Sequence, residues 1–281
     1  MIRSLVGRRA SLILDRPRIM GILNVTPDSF SDGGQFQKID RALRRAEEMV
    51  AEGADLIDVG GESTRPGAAL VSVTEELERI VPVIAAIRAR LDIPLSIDTN
   101  KAAVAAAALA SGADWVNDVS GLTFDAGMAA VVAAHDGGLF VMHARGTPAQ
   151  MQQHTHYADV VAEVMAELRI AIATARSAGI PAERLAIDPG IGFAKDLAGN
   201  LELLRRLEEF KGLDLPILLG TSRKSFIGQI LQQPHPVDRL YGTLATVALG
   251  VAKGAMLLRV HDVRAARETA LMSWAILHDL A

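Results

Sequence analysis

The stretch IDPGIGFAK, Ile187–Lys195, shows how this chain is organised. The apolar residues Leu185–Ile187 lead into a carboxylate, Asp188, and Pro189 and two glycines follow it closely. A buried strand that ends in an acid and turns on Pro and Gly places that acid at the C-terminal end of the strand. We therefore expect the function to lie where such strand ends meet.

The same pattern occurs seven more times along the chain. Each apolar run is short and ends in polar residues, as in LIDVGGES at Leu56–Ser63 and LSIDTN at Leu95–Asn100. The other runs are IMGILNVTPDSF, WVNDVSG, LFVMHARG, ILLGTSRK and LLRVHDV, which begin at Ile19, Trp115, Leu139, Ile217 and Leu257. Helical patterns separate these runs, and apolar strands that alternate with helices predict a parallel sheet covered by helices.

Eight strand–helix units in 281 residues predict a single (β/α)8 barrel, a fold of about 250 residues. An open doubly wound sheet is the alternative, but it would concentrate polar residues at one switch point, whereas here all eight strand ends carry them. Two short apolar runs, Ile2–Leu5 and Leu12–Leu14, predict an N-terminal β-hairpin that caps one end of the fold. Because no linker or shift of composition divides the chain, residues 1–281 are interpreted as one domain.

Several helix bounds follow from local signals. Ser72 and Glu75 predict a capping box for a helix over Val73–Arg90, which Pro82 is expected to kink or break. The later patterns predict helices over Tyr157–Ala178, Asn200–Lys211, Arg223–Leu231 and Arg239–Lys253.

The composition excludes several classes of protein. The net charge of −4 gives no basic surface for nucleic acid or an anionic membrane. No apolar run approaches the roughly 20 residues of a membrane span, and the first residues lack the apolar core of a signal peptide. The chain has no cysteine, which excludes disulfides and thiolate chemistry. We expect a soluble cytoplasmic protein whose partners include neither nucleic acid nor membrane.

The strand ends carry two chemically different sets of side chains. Acids and an amide suit an amino-substituted heterocycle, because carboxylates accept hydrogen bonds from its N–H groups; this set comprises Asp58, Asp98, Asn117, Asp118 and Asp188. The second set suits an anion, such as a diphosphate with a hard metal ion, and comprises Asn24, Arg65, Arg223, Lys224, Arg259, His143 and His261. Taken singly, each residue could instead cap a helix or lie on a surface loop.

Eight sequence blocks resemble those of the bacterial dihydropteroate synthase family. In chain order they are GILNVTPDSFSDGG, DVGGESTRPGA, SIDT, NDVSG, MHARGTP, DPGIGF, GTSRKSFIG and RVHDV, and together they span most of the chain. Two positions depart from the family pattern. Ala144 stands where a larger residue is common between the histidine and the basic residue, and Ala194 stands where glycine is usual after Gly-Phe.

The resemblance implies a transferase of folate biosynthesis on a TIM barrel, usually a homodimer, which Mg²⁺ assists. Members of the family condense 6-hydroxymethyl-7,8-dihydropterin diphosphate with p-aminobenzoate, giving 7,8-dihydropteroate and diphosphate. Sulfonamides compete for the p-aminobenzoate site.

The resemblance also divides the site residues among the ligands. The pterin would contact Asp98, Asn117, Val119, Met142, Asp188 and Lys224. The diphosphate would contact Asn24, Arg65, Arg259 and His261, and Asn24 would also meet Mg²⁺. The p-aminobenzoate pocket would comprise Thr64, Pro66, Phe193 and Ser225, and the catalytic residues would be Asp98, Lys224 and Asn24.

No side chain in these motifs resembles an activated nucleophile, so we expect a dissociative mechanism in which diphosphate leaves before the amine attacks. Asp98 would stabilise the pterin cation. Replacing Arg259 by Ala is predicted to weaken diphosphate binding while pterin binding is largely kept. The alternatives are a pterin-binding methyltransferase module, which needs no diphosphate clamp, and a catalytically silent paralogue that only binds.

Overall fold

A computed structural model describes residues 3–26, 35–63, 70–147 and 149–278. The strands are β1 (Arg3–Val6), β2 (Ser11–Leu14), β3 (Arg18–Asn24), β4 (Leu56–Gly60), β5 (Leu95–Asp98), β6 (Trp115–Asp118), β7 (Gly138–Met142), β8 (Leu185–Asp188), β9 (Ile217–Leu219) and β10 (Ala255–Val260). The helices are α1 (Gln35–Glu52), α2 (Val73–Arg90), α3 (Ala102–Ser111), α4 (Met128–Ala134), α5 (Val160–Ser177), α6 (Leu197–Arg205), α7 (Ser225–Leu231), α8 (Leu240–Ala252) and α9 (Val263–Leu277). Across these ranges, no helix combines the length and the apolar character that a membrane span requires.

The eight strands β3 to β10 form a closed parallel barrel in chain order, and β10 pairs with β3 to complete it. The predicted (β/α)8 barrel is therefore confirmed. The open doubly wound sheet is wrong, because the barrel sheet has no free edge. The strands β4 to β9 are buried at every position, which explains why they appear in the sequence as continuous apolar runs.

The N-terminal hairpin closes one end of the barrel, as the sequence predicts. β1 and β2 pair antiparallel, and Leu5, Leu12 and Leu14 pack into an apolar cluster with Trp115 and Phe140. The cluster lies at the end where the barrel strands begin, so ligands must approach from the opposite, C-terminal end. That residues 1–281 form one domain stays a prediction.

Helix bounds differ from the predicted ones where a side chain caps a helix late or early. The helix predicted from Tyr157 begins at Val160, because the Asp159 carboxylate accepts hydrogen bonds from the first turn at 3.0 Å. The helix predicted from Asn200 begins at Leu197, because Asp196 caps it through Gly199 N at 2.7 Å. It ends at Arg205, and the segment Leu207–Leu213 continues as a 3₁₀-helix.

Pro82 does not break α2, which runs unbroken from Val73 to Arg90. Only half of the predicted capping box forms: Ser72 Oγ accepts from Glu75 N at 3.2 Å, but the Glu75 side chain pairs with Arg79 instead of turning back. The predicted starts at Arg223 and Arg239 are also early. α7 begins at Ser225, and a 3₁₀-turn over Pro236–Arg239 precedes α8.

Candidate active site

Parallel pairing brings predicted site residues side by side at the C-terminal mouth of the barrel. Asn24 pairs with Gly60, Gly60 with Asp98, and Asp98 with Asn117. A Cβ built on Gly60 would lie 3.6 Å from both Asn24 Oδ1 and Asp98 Cβ, so these two side chains flank Gly60. The predicted pterin residues Asp98 and Asn117 and the predicted diphosphate residue Asn24 therefore share one layer.

A buried charge cluster lies directly beneath this layer. Asp58 accepts hydrogen bonds from Arg259 Nε at 2.6 Å, from Asn117 Nδ2 at 3.0 Å and from Ser96 Oγ. Arg259 Nη2 also donates to Asp98 Oδ2 at 2.5 Å. Asp58 and Ser96 are fully buried, so this cluster fixes the orientation of both Arg259 and Asn117.

The sequence placed Asp58 in the set that suits a heterocycle but did not indicate its contacts with Arg259 and Asn117. A signal was present, because Asp58 precedes Gly60 by two residues and side chains two apart on a strand share a face. Asp118, from the same set, has local partners: its carboxylate accepts from Ser120 N at 2.8 Å and Leu122 N at 2.7 Å and so holds the turn after β6.

Burial controls the charge of the acids at the mouth. It raises the pKa of Asp98 to about 7; the neighbouring Arg259 opposes this shift, and the nearby carboxylate of Asp58 adds to it. Burial also raises the pKa of Asp188, although Lys224 and the Gly190 amide favour the ionised form. Burial therefore disfavours the ionised form of both carboxylates at this mouth.

Asp188 and Lys224 both contact the loop that follows β8. Asp188 pairs with Met142 in the barrel and accepts from Gly190 N at 2.7 Å. Lys224 Nζ donates to the Ile191 carbonyl and lies 4.6 Å from the centre of the Phe193 ring. Burial lowers the pKa of Lys224 to about 8. Both apolar residues that were predicted to contact the pterin, Met142 and Val119, are buried.

The predicted anion residues lie at the ends of β9 and β10. His261 Nδ1 lies 2.9 Å from Ser222 Oγ, and Ser222 Oγ accepts from His261 N at 3.1 Å. Arg223 forms a salt bridge with Asp262 at 2.6 Å, so this cation has a structural partner in its own loop. Ser225 is exposed at the first residue of α7. The predicted residues Thr64, Arg65 and Pro66 lie outside the described residues.

Asn24 offers an oxygen donor at the mouth that suits a hard metal ion. Among the described residues, no three His, Asp or Glu side chains cluster closely enough to hold a metal ion. The Asn24 carboxamide faces Gly60 beside Asp98, and a neutral oxygen donor of this kind suits Mg²⁺, which keeps several waters and binds through few protein oxygens plus phosphates. This donor therefore fits a Mg²⁺ ion that keeps most of its ligands as water or phosphate oxygens.

Sequence reasoning missed a second buried network, behind the Gly190–Lys195 loop. Lys195 Nζ lies 2.9 Å from His143 Nδ1, and His143 Nε2 lies 3.0 Å from Glu167 Oε2 on α5. Both Lys195 and His143 are buried. The only sequence signal was a lysine shortly after two glycines and a histidine at a strand end, which does not reveal that the two meet.

The Ala194 departure has a backbone consequence. Ala194 adopts a left-handed conformation with φ of 50°, which glycine occupies without strain and alanine occupies at a cost of about 1 kcal/mol. Its carbonyl accepts from Tyr157 Oη at 3.0 Å, so the strained residue has an external support. Ala144 is half-buried beside His143 and removes no functional group.

Comparisons with known proteins agree on one family. The pterin binding enzyme family matches residues 20–261. A dihydropteroate synthase of Synechocystis sp. is 52% identical over 250 residues, which is 89% of this chain and 86% of that protein. A Xanthomonas albilineans dihydropteroate synthase solved with 4-aminobenzoic acid superimposes with a TM-score of 0.93 at 44% identity, covering 100% of both chains.

A second solved structure reaches the same result. A Yersinia pestis dihydropteroate synthase, solved as a sulfonamide drug complex, superimposes with a TM-score of 0.92 at 43% identity and covers 98% of this chain and 99% of that one. Both solved structures are more than 40% identical to this chain over nearly its whole length and have the same barrel, which shows the family. The chain belongs to the pterin-binding enzymes and, within them, to the dihydropteroate synthases.

Proposed function

We propose that the barrel mouth condenses 6-hydroxymethyl-7,8-dihydropterin diphosphate with p-aminobenzoate by a dissociative route. The bond between the pterin methylene carbon and the diphosphate oxygen breaks first, and its electron pair leaves with diphosphate. The amine nitrogen then attacks the methylene cation and gives up a proton to solvent. The observation that carries this proposal is the acidic cluster of Asp58 and Asp98 bridged by Arg259, because it sets anionic groups for a cation next to a guanidinium for a leaving anion.

The pterin is proposed to lie over Asp98, Asn117 and Asp188. Carboxylates at Asp98 and Asp188 can accept from the ring and amino N–H groups, and Lys224 can donate to a ring carbonyl or nitrogen. Met142 and Val119 supply buried apolar contacts on the wall. Asp98 also faces the charge that develops on the pterin as diphosphate departs, so its ionised form lowers the barrier.

Arg259 and His261 are proposed to hold the diphosphate, with Arg65 as a third contact from the resemblance. Arg259 uses Nε and Nη2 for the two acids, but a guanidinium carries five N–H donors, so it can also donate to a phosphate oxygen. Ser222 accepts from the His261 backbone and can donate its own proton to Nδ1, which places the imidazole proton on Nε2.

Mg²⁺ is proposed to enter with the diphosphate, with Asn24 as its protein oxygen. When bound, the ion would supply positive charge to the leaving group.

The p-aminobenzoate pocket is proposed to comprise Thr64, Pro66, Phe193 and Ser225, and sulfonamides would compete there. The proposed compartment is the cytoplasm, which suits a chain without cysteine.

A homodimer is proposed from an apolar face that two neighbouring helices share. On the turn before α8 and along α8, Val237, Tyr241 and Leu249 are 63%, 81% and 56% exposed and follow one another at helical spacing. Met272 and Ile276 on the adjacent α9 are 63% and 72% exposed. Exposed apolar clusters of this kind mark interfaces. Sedimentation of wild type against Tyr241→Asp tests this, and a monomeric wild type contradicts it.

The decisive experiment incubates the protein with the pterin diphosphate, p-aminobenzoate and Mg²⁺ and follows both products. Stoichiometric release of diphosphate and dihydropteroate supports the proposal. Pterin binding without turnover would favour the methyltransferase module or the silent paralogue instead. For the mechanism, an Asp98→Asn variant that keeps full turnover and binds diphosphate normally would exclude the proposed role of Asp98.

A further inference from the structure

Lys195 Nζ has three hydrogen-bond partners, two in the loop that Lys195 ends and one directly after β7. Its Nζ lies 2.8 Å from the Phe193 carbonyl, 3.0 Å from the Gly190 carbonyl and 2.9 Å from His143 Nδ1. An ammonium has three N–H donors and here meets three acceptors. The charged lysine therefore closes the segment Gly190–Phe193 against the end of β7.

The protonation of the network follows from its partners. Burial lowers the pKa of His143 to about 4, and hydrogen bonds from His143 and Arg145 lower the pKa of Glu167 to about 2. The imidazole is therefore neutral and the glutamate ionised, so Nε2 donates to Glu167 at 3.0 Å and Nδ1 is left to accept from Lys195. In this arrangement every donor faces an acceptor.

The two halves of the loop have different anchors. The first half is fixed without Lys195, because Gly190 N donates to Asp188 at 2.7 Å, Gly192 N donates to Asn200 Oδ1 at 2.6 Å and Ile191 is fully buried. The second half has one backbone hydrogen bond, from Phe193 N to the Gly190 carbonyl at 3.1 Å, and otherwise depends on two side chains. Lys195 holds the Phe193 carbonyl, and Tyr157 holds the Ala194 carbonyl at 3.0 Å.

We propose that Lys195 is a positioning residue for the aromatic amine: with His143 as its acceptor, it sets the Phe193 ring against Lys224 without touching either substrate. The inference rests on the proposed p-aminobenzoate pocket, because it acts through Phe193. The proposal distinguishes the pterin side of the mouth from the amine side. On the pterin side, Asp188 accepts from Gly190 N, and this contact does not involve Lys195. The amine side should therefore respond to changes at Lys195 more than the pterin side.

The first test is a split of kinetic constants in Lys195→Met. Loss of the three hydrogen bonds should raise the KM for p-aminobenzoate about tenfold, while kcat and the Kd for the pterin diphosphate stay within about twofold of wild type. Lys253→Met is the matched control, because Lys253 pairs with Glu208 away from the mouth, and it should change none of these constants. An unchanged amine KM, or an equal loss for both substrates, contradicts the proposal.

His143 provides a second pair of variants if Lys195→Met does not fold. In His143→Asn the amide oxygen falls near the position of Nδ1 and still accepts from Lys195, whereas His143→Leu offers no acceptor. We expect His143→Leu to raise the amine KM as Lys195→Met does, and His143→Asn to stay near wild type. The same KM in both variants would mean that the acceptor for Lys195 is not what matters.

Loss of the proton from Lys195 should have part of the effect of its replacement, because the neutral amine keeps only two of the three N–H donors. Burial lowers the pKa of Lys195 to about 7; Asp188 and Glu167 raise it, Lys224 and Arg145 lower it, and neutral His143 faces the group directly. The wild-type amine KM at saturating pterin diphosphate should therefore rise above about pH 7. A rise of equal size in Lys195→Met would assign the titration to another group and contradict the proposal.

A double-mutant cycle with Phe193→Ala separates this inference from the proposed pocket. If Lys195 acts through Phe193, the double variant should have an amine KM no higher than Phe193→Ala alone. Additive effects would show that Lys195 acts elsewhere. If Phe193→Ala leaves the amine KM unchanged, the pocket assignment itself is wrong. If Phe193→Ala raises it and Lys195→Met does not, only the role of Lys195 is wrong.

Discussion

Arg259 Nη2 lies 2.5 Å from Asp98 Oδ2, so the residue predicted to hold the diphosphate is ion-paired with the residue predicted to hold the pterin. The sequence suggested two separate groups of side chains and, from that, a loss of Arg259 that spares the pterin. The contact indicates a different outcome. Because the same guanidinium also holds the fully buried Asp58, the two ligand sides share one electrostatic element.

Replacing Arg259 by Met should therefore weaken both ligands and the fold. It leaves Asp58 and Asp98 together without a cation, which should lower the free energy of unfolding at pH 8 by about 3 kcal/mol. The pKa of Asp98 should rise further, so pterin binding at pH 7 should weaken about tenfold. Denaturant unfolding and pterin titration measure both effects. Arg223→Met, which breaks a half-exposed pair with Asp262, should cost only about 1 kcal/mol.

The ratio kcat/KM for the pterin diphosphate should show a narrow bell-shaped dependence on pH. Ionised Asp98, whose pKa burial raises to about 7, is needed to stabilise the pterin cation, so kcat/KM for the pterin diphosphate should rise as pH increases through 7. Protonated Lys224, whose pKa burial lowers to about 8, is needed as a donor, so the ratio should fall above 8. Initial rates from pH 5 to 10 measure the profile. A flat profile between pH 6 and 9 would exclude both assignments.

The stability of the fold should carry the opposite sign of pH dependence at Asp98. Its pKa is higher in the folded chain than the usual aspartate value of about 4, so the folded state binds more protons between about pH 4 and 7. The contribution of Asp98 to stability is complete below about pH 4 and is lost as pH rises through 7. Asp98→Asn does not titrate, so its stability relative to wild type should increase across this window in denaturant unfolding. A constant difference would show that the folded and unfolded pKa values agree.

The strand ends could be predicted from sequence because the apolar runs and the polar residues that follow are local features. The charge cluster could not, since Arg259 and Asp58 are 201 positions apart and meet only through the register of the closed barrel. The pairing of Lys195 with His143 has the same cause, because 52 positions separate them. Helix bounds such as Leu197 depended on which carboxylate caps the first turn, and Asp196 and the neighbouring polar residues are not distinguished by apolar periodicity alone.

Replacing Lys101 should lower the stability of the fold, although the sequence assigned this residue no role. Its Nζ lies 2.5 Å from both Glu62 Oε2 and Glu76 Oε2, and Glu76 is fully buried, with no partner for Oε1 among the described residues. Lys101→Met leaves a buried carboxylate without its cation and should lower the free energy of unfolding by about 3 kcal/mol. Adding Glu76→Gln should restore part of the loss. If the single variant unfolds like wild type in urea, the buried carboxylate does not depend on Lys101.

Replacing Asn24 should show how much of the diphosphate affinity comes through Mg²⁺ and how much through the other protein contacts. If its carboxamide oxygen binds Mg²⁺, Asn24→Ala should abolish the gain in diphosphate affinity that Mg²⁺ gives and leave the affinity without Mg²⁺ unchanged, because Arg259 and His261 remain. His261→Ala should weaken diphosphate in both conditions, since its contact is direct. Calorimetric titration of diphosphate with and without Mg²⁺ measures the four affinities without turnover. A gain from Mg²⁺ that survives in Asn24→Ala would mean that the ion binds through diphosphate oxygens and water alone.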